Sequence, residues 1–511
     1  MKYLNSRDFG IIIKTMGDML SFMSLILFIP AFVAFYYFIV GKVNFFELLM
    51  YFVPGVLSYI VGYFFREYEY TNKKDGIKIK VSKDESILRS KIAPKHALLT
   101  SALLWLLLPL FGTVPFLLYG FSPLDAYFES AAGFTTTGMS LITHIESYPE
   151  PLLFFRSFME WLGGVGVIVL FLILLMRPGT AISKLYSSEA RGERIKPSIR
   201  GTAVEIWKIY AFLTLICIVI LYLVGMTPFD AINHGMTTVS TGGLSTHDES
   251  IAYFNNYPGS SPLLIKITLI IFMIIGATSF LVHFKILGGD LGSLIRNPEF
   301  KFMIAAIIIS TALVWGTLNF VTPGSIIDSS GDILFQMVAM ITGTGYTSVG
   351  DMHHWDAIIK VVVLIFMIMG GCYGSTTGGL KIIRMLIMLK IVWRTIKKSL
   401  MPESSVVPVS IMGKPVTDDE VSYVASLIMV YLMLSIAAIA VFTTMGYDEL
   451  ESTSLAVSAL SNVGPTFLAP DQWFGIGEIE KIVLIFLMYA GRLEIFPVLV
   501  LITTIIKRGK L

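Results

Sequence analysis

Charge is scarce in this sequence. Lysine, arginine, aspartate and glutamate make up 14% of the 511 residues, against 55% hydrophobic. A soluble globular domain carries roughly 25% charge, so a water-facing shell around one core is excluded. Cysteine is nearly absent. Cys217 and Cys372 both lie in apolar surroundings, which excludes a disulfide framework and reads as two buried thiols. The signatures of common enzymes are missing too. There is no HExxH and no complete phosphate loop, and "GGVGV" (163–167) lacks the third glycine of a dinucleotide fingerprint. His353 and His354 adjoin, but a metal site needs more ligands, so a solvated pair is expected. His144, His234 and His247 are scattered and receive no role.

Long apolar runs are what the sequence does have. Examples are "HALLTSALLWLLLPLFGTVPFLL" (96–118), "AFLTLICIVILYLVG" (211–225) and "KFMIAAIIISTALVWGTLNF" (301–320). About 20 such residues cross ~30 Å of hydrocarbon. The first run is long and is soon followed by another, so it reads as a retained span and not a cleaved leader. Two spans, near 11–39 and 45–66, fill an N-terminal segment 1–70, and a basic loop follows at 71–94. A unit then recurs four times: apolar span, half-helix, polar glycine stretch, apolar span. The units cover 95–176, 203–284, 302–400 and 420–506, with a loop at 177–202 after the first. Their polar stretches are "TTTGM" (135–139), "STGGL" (240–244), "GTGYT" (343–347) and "NVGPT" (462–466). The glycines Gly138, Gly242, Gly345 and Gly464 are spaced by 104, 103 and 119 residues. Such a recurrence signals a structural repeat. The expected fold is an all-α polytopic membrane protein. Four pseudo-repeated span–pore loop–span units surround one pore, and two extra spans precede them.

Positive charge is distributed unevenly. The connections 121–155, 226–265, 319–359 and 446–480 contain no lysine or arginine, yet carry Asp125, Glu129, Asp230, Asp248, Asp332, Asp448 and Glu451. The alternate connections are basic: Lys73 to Lys95, Arg177 to Arg200, and "KIVWRTIKKS". Basic loops stay in the cytoplasm. The glycine stretches are therefore expected to open outward, with both termini inside. The acidic outer face would concentrate cations at the mouth.

In hydrocarbon, irregular backbone is tolerated only where it is buried in protein or lines a wet cavity. A half-helix such as "LDAYFESAAGF" (124–134) is about 16 Å long, roughly half the membrane. It would aim the negative end of its dipole at the bilayer centre. Four following stretches around an axis would present rings of carbonyl oxygens, which can replace the hydration shell of potassium. Glycine opens the backbone angles this needs, and Ser and Thr hydroxyls can brace from behind. The candidate ion-binding residues are Thr136, Thr137, Gly138, Ser240, Thr241, Gly242, Gly343, Thr344, Gly345, Asn462, Val463 and Gly464.

These motifs resemble the TrkH/TrkG/KtrB superfamily of potassium transporters. The resemblance rests on "GFTTTGMS", "VSTGGLST", "TGTGYTS" and "LSNVGPT", with "RSFMEWLGGVGVIVL", "GGCYGSTTGGLKIIR" and "MYAGRLEIFPVLVLI". The two extra N-terminal spans resemble the TrkH/TrkG branch. The resemblance implies potassium uptake across the cell (inner) membrane by a homodimer with one pore per subunit. It also implies a cytoplasmic nucleotide-binding regulatory subunit of the TrkA type. A glycine in all four stretches goes with potassium preference. The third stretch offers both Gly343 and Gly345, and Gly345 is aligned as the filter glycine. No cofactor and no nucleic acid are expected, and potassium is cargo. A sodium-selective or ion-coupled carrier of the same fold, by proton or sodium, remains the alternative, and a membrane enzyme the remote one.

Two internal features have competing readings. "GCYGSTTGGLK" (371–381) falls short of a phosphate loop because Leu380 follows Gly379. It is either a packing kink or an intramembrane gate built from Gly371, Cys372, Gly374, Ser375, Thr376, Thr377, Gly378 and Gly379, which the resemblance favours. Arg492 lies within an apolar run, where charge is expensive. It either pairs with a carboxylate such as Glu160 or stands beside the permeation path as part of the gate.

Overall fold

The computed structural model describes residues 6–71, 78–80, 83, 94–165, 199–320, 330–350, 352–402, 407–411 and 414–508. The predicted end of the first unit, 166–176, and most of the basic loops 71–94 and 177–202 lie outside the described residues. Among the described residues the fold is helical, apart from two short antiparallel ladders, Glu69–Thr71 with Lys78–Lys80 and Ser410–Ile411 with Lys414–Pro415.

Among the described residues, six continuous helical segments are long and apolar enough to cross a membrane: Asp8–Ile39, Phe45–Arg66, Lys95–Leu118, Gly201–Leu223, Pro298–Asn319 and Asp418–Thr444. The first two are the extra N-terminal spans, and they pack together. Ser58 donates its hydroxyl proton to the Leu20 carbonyl at 2.8 Å across that contact. Outward-facing side chains include Phe32, Phe64, Leu223, Ile308 and Ile436, all exposed. Large apolar side chains displayed in this way fit lipid as the surrounding medium.

The closing spans of the second and fourth units are bent, which the sequence reading did not include, whereas the interruption in the third was expected at 371–379. In the second unit, Pro262–Gly276 and Phe280–Leu287 meet at a bend of 104°, and in the fourth, Glu478–Arg492 and Phe496–Ile506 meet at 119°. In the third, Ala357–Met367 and Ile382–Ser399 are separated by the intramembrane loop. The break in the fourth unit is held by Glu494 and Ile495, both left-handed at φ 57° and 67°.

Between opening and closing spans sit the half-helices Pro123–Phe134, Pro228–Val239, Ser330–Ile341 and Glu449–Ser461. Three of their starts share one chemistry. Ser122 and Thr227 accept the backbone N–H of Asp125 and Asp230 just ahead of a proline at the first turn. Asp448 accepts from Glu451 N at 2.6 Å, and the Glu451 carboxylate accepts from Asp448 N at 3.1 Å. Each of the four helices carries an acid in its first turn, which suits the positive end of the dipole. Asp448→Ala removes one reciprocal cap and is expected to cost about 1 kcal/mol. A lowered unfolding temperature in detergent, restored by Asp448→Asn, checks this.

Candidate functional site

The four half-helices end in the same backbone turn. Thr137 N donates to Ala132 O at 2.9 Å, Gly242 N to Thr237 O at 2.9 Å, Thr344 N to Ala339 O at 2.9 Å, and Val463 N to Ser458 O at 3.0 Å. The residues on either side of each donor are left-handed. Their φ values are 53° and 72° for Thr136 and Gly138, and 55° and 79° for Thr241 and Gly243. They are 66° and 76° for Gly343 and Gly345, and 56° and 108° for Asn462 and Gly464.

This geometry fixes the register. Gly138, Gly345 and Gly464 take equivalent places in their turns. In the second stretch, however, the equivalent glycine is Gly243, and the matching triplet is Thr241, Gly242 and Gly243. Ser240 falls at the helix C-cap, like Thr135. The doublet Gly242-Gly243 hid the shift, because either glycine satisfies the motif. Only the second takes positive φ.

The four stretches also close on one another. A Cβ on Gly138 would lie 2.2 Å from the carbonyl oxygen of Gly242, and one on Gly243 would lie 1.8 Å from that of Thr344. One on Gly345 would lie 1.9 Å from that of Val463, and one on Gly464 would lie 2.5 Å from that of Thr137. First abuts second, second third, third fourth, and fourth first. A single chain thus builds a closed cycle of four equivalent segments.

Hydroxyls and amides brace this cycle. Thr135 and Thr137 hydroxyls are 2.8 Å apart, and those of Thr342 and Thr344 are 2.9 Å apart. Asn462 donates from Nδ2 to the Thr137 hydroxyl at 2.8 Å and to the Met488 carbonyl at 2.9 Å. The Tyr346 hydroxyl lies 2.5 Å from that of Thr237, which ties the third stretch to the second half-helix. One cation sits close behind the first stretch: Arg156, fully buried, donates to the Ser140 hydroxyl at 2.7 Å and lies 3.5 Å from the Glu129 carboxylate. It stands one residue beyond the arginine-free connection read from the sequence.

The loop 371–379 is folded against this cycle. Its ends are stapled by Gly370 N donating to Leu380 O at 2.8 Å and Leu380 N donating to Ile368 O at 3.2 Å. Cys372 N donates to Ala277 O at 2.8 Å, and Phe280 N to Gly374 O at 3.0 Å, so the loop fills the bend of the second unit. Gly371 N donates to the Thr377 hydroxyl at 2.8 Å, and Ser375 donates to Cys372 O at 2.6 Å. The Thr376 hydroxyl sits 3.1 Å from Val239 O and 3.2 Å from the Thr241 hydroxyl, directly at the second stretch. A Cβ on Gly378 would lie 2.5 Å from Asn462 Oδ1, so the loop also touches the fourth. Gly374 and Gly379 supply the left-handed turns.

Arg492 does not pair with Glu160. Its guanidinium donates to three backbone carbonyls: Thr376 at 2.6 Å in the loop, and Gly163 at 2.5 Å and Gly164 at 2.9 Å below the first stretch. Glu160 accepts from Leu244 N instead. Three residues given no site role at first complete the cluster. Lys381 donates to the Thr377 carbonyl and, at 3.0 Å, to its hydroxyl. Arg384 forms an ion pair with Glu494, at the break of the fourth unit. A loop followed by Lys381 and Arg384, with Arg492 two residues before Glu494, was the available signal. Among the described residues no group of three or more His, Cys, Asp or Glu could hold a metal ion. Cys217 and Cys372 are buried free thiols.

The family model "Cation transport protein" TrkH matches residues 67–304 and 320–511. The chain belongs to the TrkH cation transport family. Within it, the chain is 33% identical to a cation transporter of Methanocaldococcus jannaschii, over 98% of this chain and 97% of that one. It is 34% identical to the Trk system potassium uptake protein TrkH of Halomonas elongata, over 81% of this chain and 86% of that one. The crystal structure of the potassium transporter TrkH from Vibrio parahaemolyticus superposes with a TM-score of 0.78 at 28% identity. That match covers 96% of this chain and 98% of that one. These matches support the TrkH/TrkG branch. The TrkH-family chain is a multi-pass membrane transporter and not an enzyme.

Proposed function

We propose that this chain takes up potassium through the closed cycle of glycine stretches, with loop 371–379 and Arg492 as its gate. The reading rests above all on the cycle itself. Four equivalent left-handed turns, each abutting the next carbonyl, suit a carbonyl-lined cation site. The potassium uptake named for the relatives agrees with it. Purified protein in liposomes, loaded with potassium on one side and sodium on the other, tests it. Potassium or rubidium flux exceeding sodium flux supports the proposal. Flux of sodium alone favours a sodium-selective carrier, and potassium flux that requires a proton or sodium gradient favours an ion-coupled one.

The same reading includes a homodimer with a pore in each subunit, both termini in the cytoplasm and a nucleotide-binding regulatory subunit. The cytoplasmic termini and the regulatory subunit draw support from the basic connections and from the helix Ile382–Ser399, which continues from the loop and ends in Lys397 and Lys398. A regulator pulling on that helix acts directly on the loop. Mild-detergent purification from native membranes is expected to recover a soluble nucleotide-binding protein with the chain. Recovery of the transporter alone counts against it.

A further inference from the structure

The register of the second stretch leaves a gap in the pattern. Where the other stretches carry Thr137, Thr344 and Val463, the second has Gly242. Thr137 and Thr344 use their hydroxyls to brace the strand from behind. Gly242 has no side chain to do so, although its φ is not left-handed and a side chain is conformationally allowed.

Glu160 fills that gap. It projects from the helix Glu150–Gly164 and is fully buried. A Cβ on Gly242 would lie 2.4 Å from the Glu160 carboxyl carbon, so the carboxyl group occupies the place of the missing side chain. One oxygen, Oε2, accepts from Leu244 N at 3.1 Å, just past the filter glycine Gly243. The other, Oε1, has no hydrogen-bond partner among the described residues and lies 3.4 Å from where a Cβ of Gly138 would be. The carboxyl group therefore wedges between the first and second stretches. Arg156, one turn earlier, is engaged with Ser140 and the Glu129 carboxylate.

We propose that Glu160 is a selectivity-determining positioning residue: from a neighbouring helix it substitutes for the side chain that Gly242 lacks and holds the second stretch in register. It acts through shape and the hydrogen bond to Leu244 N, not by touching the ion. This inference rests on reading the cycle as the ion filter.

The test measures potassium-to-sodium flux ratios in liposomes, with size exclusion as the folding check. Glu160→Ala is expected to lower the ratio about tenfold while cation flux persists. Glu160→Gln, which keeps the volume and the acceptor, recovers most of it. Gly242→Thr alone collides with Glu160 and loses selectivity. The double variant Glu160→Ala with Gly242→Thr regains it, because the threonine brace of the first and third stretches is now present in the second. This non-additivity is the signature of a shared space. If Glu160→Ala fails to fold, the comparison of Gly242→Thr with the double variant carries the test. A wild-type ratio in folded Glu160→Ala, or no recovery in the double variant, overturns the proposal. Gly243→Ser is the control. If it leaves the ratio unchanged, the filter reading itself falls. If it lowers the ratio and the Glu160 variants do not, only the role of Glu160 falls.

Discussion

Serine at Gly243 is expected to lower the potassium-to-sodium flux ratio by about tenfold or more. The glycine sits at φ 79°, where a Cβ costs ~1–2 kcal/mol. Any Cβ there would also lie 1.8 Å from the Thr344 carbonyl oxygen, so that carbonyl must move. Discrimination between two cations is a difference of free energies, and 1.4 kcal/mol is a factor of ten. Displacing one carbonyl of the cycle is enough to reach it. The half-helix Pro228–Val239 is not altered, so the protein is expected to elute normally by size exclusion. Paired flux assays with potassium and sodium decide the matter. An unchanged ratio in a well-folded variant would overturn the reading of the cycle as the ion filter.

The second large effect concerns the gate. Deleting residues 374–378 is expected to raise potassium flux about tenfold in liposomes without any regulator, with the ion preference kept. The deletion is structurally tolerable because the stem outside it, Gly370 N to Leu380 O and Leu380 N to Ile368 O, remains. It removes Thr376, which meets both the second stretch and Arg492, and Thr377, which receives Lys381. Arg492→Ala is expected to move flux in the same direction. Its charge opposes a passing cation by roughly 4 kcal/mol at 4 Å for an effective dielectric of 20. Its hydrogen bond to Thr376 also holds the loop in place. Rubidium uptake into vesicles gives the readout. A shortened loop that folds but conducts no faster than wild type makes the segment a packing element.

Much of this architecture was legible because the sequence repeats itself. The helix starts recur as a capping residue followed three positions later by an acid: Ser122 with Asp125, Thr227 with Asp230, and Asp448 with Glu451. The glycines Gly138, Gly345 and Gly464 recur at the ends of the same helices. What escaped detection has physical reasons. The bends at Ala277-Thr278-Ser279 and Leu493-Glu494-Ile495 are hidden in hydropathy because three residues are too few to interrupt the apolar runs on either side. Adjacent glycines at 242 and 243 look alike until φ is known. Arg492 and Glu160 are opposite charges in neighbouring units, and sequence spacing cannot reveal that each prefers backbone partners. Buried backbone carbonyls and N–H groups need partners as much as side chains do.

Because the cycle closes within one polypeptide, its four walls are not copies. They read Thr136-Thr137-Gly138, Thr241-Gly242-Gly243, Gly343-Thr344-Gly345 and Asn462-Val463-Gly464. In a ring of identical subunits one codon change rewrites every wall at once. Here it rewrites a quarter of the circumference. On the proposed reading of the cycle as the ion filter, ion preference can drift in small steps during evolution, each altering one wall while three stay unchanged. The same asymmetry lets a neighbouring helix take over the work of a lost side chain in one wall only, as Glu160 does beside Gly242.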